Sequence, residues 1–306
     1  MFKQSHRYLT ALVVSSCFAS VFATAAYAAA PLASPTLDSI KSSGVLTVGV
    51  RDNSYPFSYL DNNNAYLGYS VEISNAIIAA IKQKLNMPNL QVRQLAITSQ
   101  NRIPLLQNNQ IQYECSSTTN NKDREKQVNF STTIFEIGTR LLVAKSSGIK
   151  SFSDLKGKTV VTVAGSTSER LLREMNDHDS MGMHIISSTD SSTSFVVLET
   201  GRAVAYMMDD AVLAGARATA HDPSAWEIVA KPASHEAYGC MLPKDDAGFK
   251  ALVDDVIKKR ELDGTETANY KKWFMSPTPP KNVNLNFDMS DDVKELYAHP
   301  NDTPFQ

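Results

Sequence analysis

"YSVEISNAIIAAIKQKLN", residues 69–86, decides the fold class. Its apolar residues, Val71, Ile73, Ile77, Ile78 and Ile81, return every three to four positions, the spacing of a helix with one greasy face. The stretches on either side read differently. "GVLTVGV" (44–50) is short, β-branched and free of charge, as a buried strand should be, and "LQVRQLAI" (90–97) reads as a second strand. A short helix containing Arg102 follows, then "IQYECS" (111–116) as a third strand. The order βαβαβ predicts a parallel sheet covered by helices, because parallel neighbours need a crossover between them.

The pattern then restarts. "TRLLVAK" (139–145) reads as a strand, "SFSDLKGK" (151–158) as a short helix and turn, and "TVVTVAG" (159–165) as a strand. "STSERLLREMND" (166–177) is a helix, "MHIISS" (183–188) a strand, "TSFVVLETG" (193–201) a helix and "AVAYMMDD" (203–210) a strand. "AVLAGARATAH" (211–221) and "WEIVAK" (226–231) add one helix and one strand, which completes a second α/β lobe of about a hundred residues. "AYGCMLPK" (237–244) is a further strand, and two helices follow it. The Pro- and Asn-rich tail after them is expected to wrap the surface.

Length and composition narrow the class. The 306 residues suffice for two modest domains, and 42% hydrophobic with 20% charged residues is ordinary for a soluble globular chain. A net charge of −2 lacks the basic surplus of a nucleic-acid binder, so no nucleic-acid partner is expected. The N-terminus reads as a signal peptide over residues 1–28. "MFKQSHR" is basic, "YLTALVVSSCFASVFATAA" is apolar and small, and "AYAAA" offers an A-x-A cleavage site after Ala28. A membrane anchor is the competing reading, but the apolar core is short and ends in small residues. "VSSC" (14–17) resembles a lipoprotein cleavage box only in outline, so lipid anchoring at Cys17 is not expected.

Export leaves two cysteines, Cys115 and Cys240. In an oxidising compartment they suggest one disulfide, and the alternative is a reactive thiol, although no histidine motif accompanies either. If they are bonded, the strand carrying Cys240 lies beside the first lobe. The chain would then leave lobe one near residue 135 and return near 235, and the two crossings would form a two-stranded hinge.

Hydrolytic and metal signatures are missing: no G-x-S-x-G, no H-E-x-x-H, no P-loop. The histidines His178, His184, His221, His235 and His299 are scattered without ligand spacing, so neither a metal nor another cofactor is expected. Asp209 and Asp210 are adjacent, but neighbours on a strand point to opposite faces and would not share a substrate.

What does cluster is anion-binding equipment at the C-terminal ends of strands, where open α/β sheets bind ligands. Arg51 follows "LTVGV". Ser99 and Arg102 follow "LQVRQLAI". "SSTTNNKDR" (116–124), which ends in a third arginine, follows "IQYECS". "GSTSE" (165–169) puts Ser166 or Thr167 at a helix start, and Asp209 ends "AVAYMM". Singly, the hydroxyls read as caps, the arginines as surface charges and Asp209 as an N-cap. Together they match a zwitterion with an extra negative charge. Arg102 is the oddest member. Pro104 in "TSQNRIPLLQ" (98–107) fixes a helix start near Asn101 or Arg102, where the helix dipole disfavours a cation. An anion in front of Arg102 would remove the conflict.

Four long stretches, "GVLTVGVRDNSYPFSYLDNNNAYLGYSVEISNAI", "ITSQNRIPLLQNNQIQYECSSTTNNKDREKQVNFS", "RAVAYMMDDAVLAGARA" and "EAYGCMLPKDD", resemble the periplasmic glutamate/aspartate-binding proteins of polar amino-acid ABC importers, within bacterial solute-binding protein family 3. The likeness runs from about Leu37 to the C-terminus. It implies a type II periplasmic-binding-protein clamshell of two Rossmann-like lobes, 37–134 with 236–306 and 135–235. It implies that Arg124, with Ser117, Thr119 and Thr167, holds the ligand α-carboxylate, that Asp209 pairs with the ammonium, and that Arg51, Ser99 and Arg102 hold the side-chain carboxylate. Cys115 and Cys240 match a disulfide of these relatives. Where the family pattern carries a histidine at the side-chain end, this chain has Ser191, which is smaller and never cationic, so the balance between aspartate, glutamate and related dicarboxylates is open. The implied role is a monomeric periplasmic solute-binding protein that delivers L-glutamate or L-aspartate to an inner-membrane ABC permease, not an enzyme. The alternatives are an exported dehydratase-like enzyme on the same scaffold and a ligand sensor for a membrane receptor.

Overall fold

The computed structural model describes residues 1–2, 32–279 and 281–305. Cys17 and all but the first two residues of the expected signal peptide lie outside the described residues. Helix α1 (Pro35–Ser43) is capped by the Ser34 hydroxyl, which accepts from the Leu37 N–H, and leads into β1 (Val45–Val50). A small antiparallel sheet of β2 (Asn53–Ser54), β3 (Ser58–Leu60) and β4 (Tyr66–Leu67) precedes α2 (Tyr69–Leu85). That helix buries Val71, Ile73, Ile77 and Ile81 and leaves Ile78 half-buried, so the expected face is the buried one. Each fully buried isoleucine contributes about 1.5–3 kcal/mol. Strands β5 (Gln91–Ala96) and β6 (Tyr113–Glu114), separated by α3 (Arg102–Gln107), pair with β1 on its two sides, both parallel. The third strand is thus two residues rather than the six of "IQYECS".

Strand β7 (Thr119–Asn120) and α4 (Lys122–Glu125) come next, then β8 (Asn129–Ala144). The sequence reading expected a strand only from 139. The structure shows sixteen unbroken residues, with the polar Ser131, Thr132 and Thr133 all buried in them. The Ser131 hydroxyl accepts from Cys240 N at 2.9 Å, and Asp254 accepts from Thr132 N at 2.7 Å. The remaining elements are β9 (Thr159–Val163), α5 (Thr167–His178), β10 (His184–Ser188), α6 (Ser191–Glu199), β11 (Ala205–Asp209), α7 (Asp210–Ala218), β12 (Trp226–Val229), β13 (His235–Leu242), α8 (Ala247–Leu262), α9 (Thr265–Phe274) and α10 (Asp291–Ala298).

The main sheet runs β10-β9-β11-β8-β13-β6-β1-β5, with β12 also paired to β8 and β7 to β13. Parallel strands flank each side, and the antiparallel pair β8/β13 is the seam between them. Cys240 on β13 is bonded to Cys115, which directly follows β6 on the other side of β13 from β8, with Cα atoms 4.3 Å apart and a sequence separation of 125. Phe57, Tyr69, Phe135, Tyr238, Tyr270 and Phe274 pack around the seam; Phe135 stacks on Tyr270 at 5.5 Å and meets Phe57 edge-on at 5.0 Å. The tail does more than wrap. Helix α10 buries Val293, Leu296 and Tyr297, the Tyr297 hydroxyl meets that of Tyr69 at 2.6 Å, and Phe305 bridges to Asn121.

Helix α8 carries one anomaly. Phe249, Val253, Ile257 and Glu261 recur every four residues and are all buried, so a carboxyl occupies a core position. Both Glu261 oxygens lack a partner among the described residues.

Candidate binding site

The ends of β1 and β5 deliver the first cationic group. Arg51 follows β1 and is 4% exposed; its Nη1 donates to Ser99 Oγ at 3.1 Å. Arg102, the first residue of α3, is 2% exposed and reaches away from its helix toward β6. Its Nη1 donates to Thr118 Oγ1 at 2.6 Å, and the Thr118 hydroxyl donates on to Glu114 Oε1 at 2.5 Å. Among the described residues Arg102 Nε and Glu114 Oε2 are buried without a partner, and an orphaned polar atom costs about 1–3 kcal/mol. Burial, then the nearby charge of Arg124, pushes the Arg102 guanidinium down to about 9, against the opposing pull of Glu114. Arg51 is lowered by burial as well, and again Glu114 opposes. Ser117 lies beside them, its Oγ 2.7 Å from that of Ser54.

The second group gathers at the seam. Arg124, half-buried in α4, donates from Nη1 to the Thr119 carbonyl at 2.8 Å and from Nη2 to the Gly165 carbonyl at 3.2 Å. Burial lowers it, and Glu236 and Asp209 pull the other way. Asp209 ends β11 and is 1% exposed. It occupies the N-cap position of α7 yet makes no capping bond. Its Oδ1 accepts from Ser168 Oγ at 3.2 Å and its Oδ2 from the Tyr238 hydroxyl. Burial, then the charge of Glu236, holds this carboxyl well above the usual carboxylate range. Asp210 is the first residue of α7 rather than the last of a strand, and it accepts from Ala211 N at 2.8 Å, so the two carboxyls part because the strand ends between them and not by strand alternation.

Glu236 was not anticipated. It is 2% exposed on β13, and its Oε2 accepts from Thr119 Oγ1 at 2.6 Å and Thr167 Oγ1 at 2.7 Å. Its Oε1 accepts from Ser234 Oγ at 2.8 Å and Thr139 Oγ1 at 3.4 Å. Thr119 and Thr167, 48 residues apart, thus meet across this carboxylate rather than around an empty space. Glu114, Thr118, Ser168 and Tyr238 were missed with it. The available signal was "HEAY": Glu236 and Tyr238 are two apart on a strand and therefore share a face.

The two flanks of the sheet approach closely over the site. Ser191 begins α6 and accepts from the Tyr206 hydroxyl at 3.1 Å, and next to it Ser192 donates to Asn53 Oδ1 at 3.4 Å. A methyl at Gly215 in α7 would lie 2.4 Å from the Tyr55 carbonyl oxygen, and one at Gly165, where φ is +77°, would lie 3.0 Å from the Gln100 backbone. Of the nine anticipated residues, Arg51 and Ser99 are joined, Arg102 donates to the Ser117 carbonyl at 3.5 Å, and Arg124, Thr119 and Thr167 gather with Asp209 around Glu236. Ser191 sits apart, on Tyr206, whose hydroxyl lies within electrostatic reach of Arg51.

Residues 46–276 match the family model of bacterial extracellular solute-binding proteins, family 3. The chain is 56% identical over 273 residues to the glutamate/aspartate import solute-binding protein of Salmonella typhimurium, covering 89% of this chain and 90% of that one. It is 52% identical over 268 residues to the L-glutamate/L-aspartate-binding protein of Pseudomonas aeruginosa, covering 87% and 89%. Both are solute-binding proteins, not enzymes. Among solved structures, a mutant of the arginine-binding protein of T. maritima superposes with a TM-score of 0.68 at 27% identity, covering 78% and 98%. An ancestral amino-acid-binding protein, described as a precursor of cyclohexadienyl dehydratase, gives 0.67 at 29%, covering 79% and 99%. The fold is that of the type II periplasmic binding proteins, and the chain belongs to the bacterial extracellular solute-binding proteins of family 3.

Proposed function

We propose that this protein binds L-glutamate or L-aspartate between two lobes, 37–134 with 236–306 and 135–235, and delivers it to an inner-membrane ABC permease. The observation that carries the reading is the trio Arg51, Arg102 and Arg124. Arg51 and Arg102 are buried and Arg124 is half-buried, their charges act on one another and on the same carboxylates, and among the described residues none of the three forms a salt bridge. Guanidiniums with carboxylates nearby but none in direct contact can take an anionic guest, and planar forks suit carboxylates. Arg124 takes the α-carboxylate and Asp209 the ammonium. Arg51, Ser99 and Arg102 take the side-chain carboxylate. Ser117, Thr119 and Thr167 line the amino-acid end, and Ser191 the side-chain end. The names of the two relatives support the ligand class.

Strands β8 and β13 are the two crossings of the hinge, and closure about them completes the cage. The N-terminal 28 residues serve as a cleaved signal peptide, and the mature protein acts in the periplasm as a monomer. Among the described residues no helix is long and apolar enough to cross a membrane. Calorimetry with L-glutamate, L-aspartate, L-glutamine and L-asparagine tests the reading. The two acids should bind and the two amides should bind at least about a hundredfold more weakly, the worth of a buried charge pair. Equal affinity for acid and amide would refute it.

A further inference from the structure

We propose that Glu236 sets the polarity of the amino end of this pocket: it takes the hydroxyl protons of Thr119 and Thr167, so that both threonines offer lone pairs to the ligand ammonium rather than hydrogens to its α-carboxylate. The inference rests on the reading of the pocket as an amino-acid site.

A threonine hydroxyl has one proton to give and two lone pairs to offer. A carboxylate only accepts. Glu236 Oε2 stands 2.6 Å from Thr119 Oγ1 and 2.7 Å from Thr167 Oγ1, so both protons point at the same oxygen. Glu236 is itself pinned by Ser234 and Thr139 on its other oxygen, and it is 2% exposed, so it has no competing water to turn toward. What the threonines then turn toward a ligand is oxygen. An ammonium has three donors and needs three acceptors. Thr119, Thr167 and Asp209 supply them, and Asp209 adds the counter-charge. The α-carboxylate is left to Arg124, whose Nη1 and Nη2 already bridge the two flanks through Thr119 O and Gly165 O.

Glu236 is a positioning residue in this scheme. It acts through the threonines, and its role should be visible in selectivity as well as in affinity. The informative pair is L-glutamate and glutarate, which has the same carbon chain and both carboxylates but no ammonium. In Glu236→Met a side chain of nearly the same length offers no oxygen to accept, so both threonine hydroxyls are free to turn their protons toward the ligand. Calorimetry should show L-glutamate weakened about tenfold or more, while glutarate, measured by competition, stays within about twofold, so the preference for the amino acid shrinks. An equal loss for both ligands, or no loss for either, would overturn the proposal.

Glu236 holds four hydroxyls, and the variant could misfold. Thr167→Val asks the same question on a smaller change. It should cost L-glutamate about tenfold and leave glutarate within about twofold, whereas parallel losses would mean that the hydroxyl serves the carboxylate. Wild-type protein that binds neither L-glutamate nor L-aspartate would refute the amino-acid reading itself, a failure seen before any variant is made.

Discussion

Replacing Glu261 with glutamine should stabilise this protein at neutral pH. The carboxyl sits at a core position of α8 with neither oxygen bonded, and burial, then the charge of Glu266, pushes it up to about 9 from 4.5. Lys258 pulls weakly the other way, and Asp254 adds to the push. Between those two values the folded chain binds a proton that the unfolded chain has released. Stability therefore falls as pH rises, by about 1.4 kcal/mol per unit. From 4.5 to 7 the loss is about 3 kcal/mol, and by pH 9 it reaches its full extent. Glutamine has nearly the same shape and no proton to hold, so it escapes the loss. Urea unfolding of both proteins from pH 5 to 8 is the assay, with the midpoint converted through the slope. The variant should lead by about 3 kcal/mol at pH 7, and the gap should close toward pH 4.5. Two curves that run parallel across the range would show that Glu261 ionises freely and refute the reasoning. Ligand affinity should not move, since α8 contributes nothing to the pocket.

Three further outcomes are expected. Arg102→Met should weaken L-glutamate by about 3 kcal/mol or more in calorimetry, since a buried carboxylate loses its charge partner, and should narrow the gap between L-glutamate and L-glutamine. Asp209 is held above the usual carboxylate range, and an ammonium needs it ionised. Ligand binding should therefore release protons and weaken as pH falls from neutral toward that range; calorimetry in buffers of different ionisation heat counts those protons, and a flat affinity without release would contradict it. On the proposed hinge, Gly215→Ala should lower ligand affinity about tenfold with little change in thermal stability, because the added methyl would meet the Tyr55 carbonyl in the arrangement seen here and the flanks would move apart to avoid it; X-ray scattering should show a more open ligand-bound form.

The order of elements was legible because α2 and its flanking strands carry strong, different periods. Six residues of the proposed site, Arg51, Ser99, Arg102, Arg124, Thr167 and Asp209, were legible as polar groups following strands that are otherwise apolar. The first half of β8 was not: both its faces are buried, and Ser131 and Thr132 break the apolar run that marks such strands. Glu114 and Glu236 were not either. An acid on a strand ordinarily faces water, and what overrides that here is partners distant in sequence, such as Thr167, 69 positions from Glu236. Glu261 was hidden for a related reason, since helical spacing alone cannot tell a buried carboxyl from a solvated one on the edge of the apolar face.

Strand β13 has a consequence for how the molecule is made. It pairs with β6, β7 and β8 at once, and it carries Glu236, Tyr238 and Cys240. All three arginines precede it in the chain by more than a hundred residues. A growing chain that has emerged only as far as β12 therefore owns every cation of the pocket and neither Glu236 nor Tyr238. Its β6 and β8 edges stand open, the kind of exposed ladder that invites another chain. Contacts of such long range are slow to form. The same late strand protects the edges and finishes the pocket, so the interval in which the chain is prone to aggregate is also the interval in which it cannot hold its ligand.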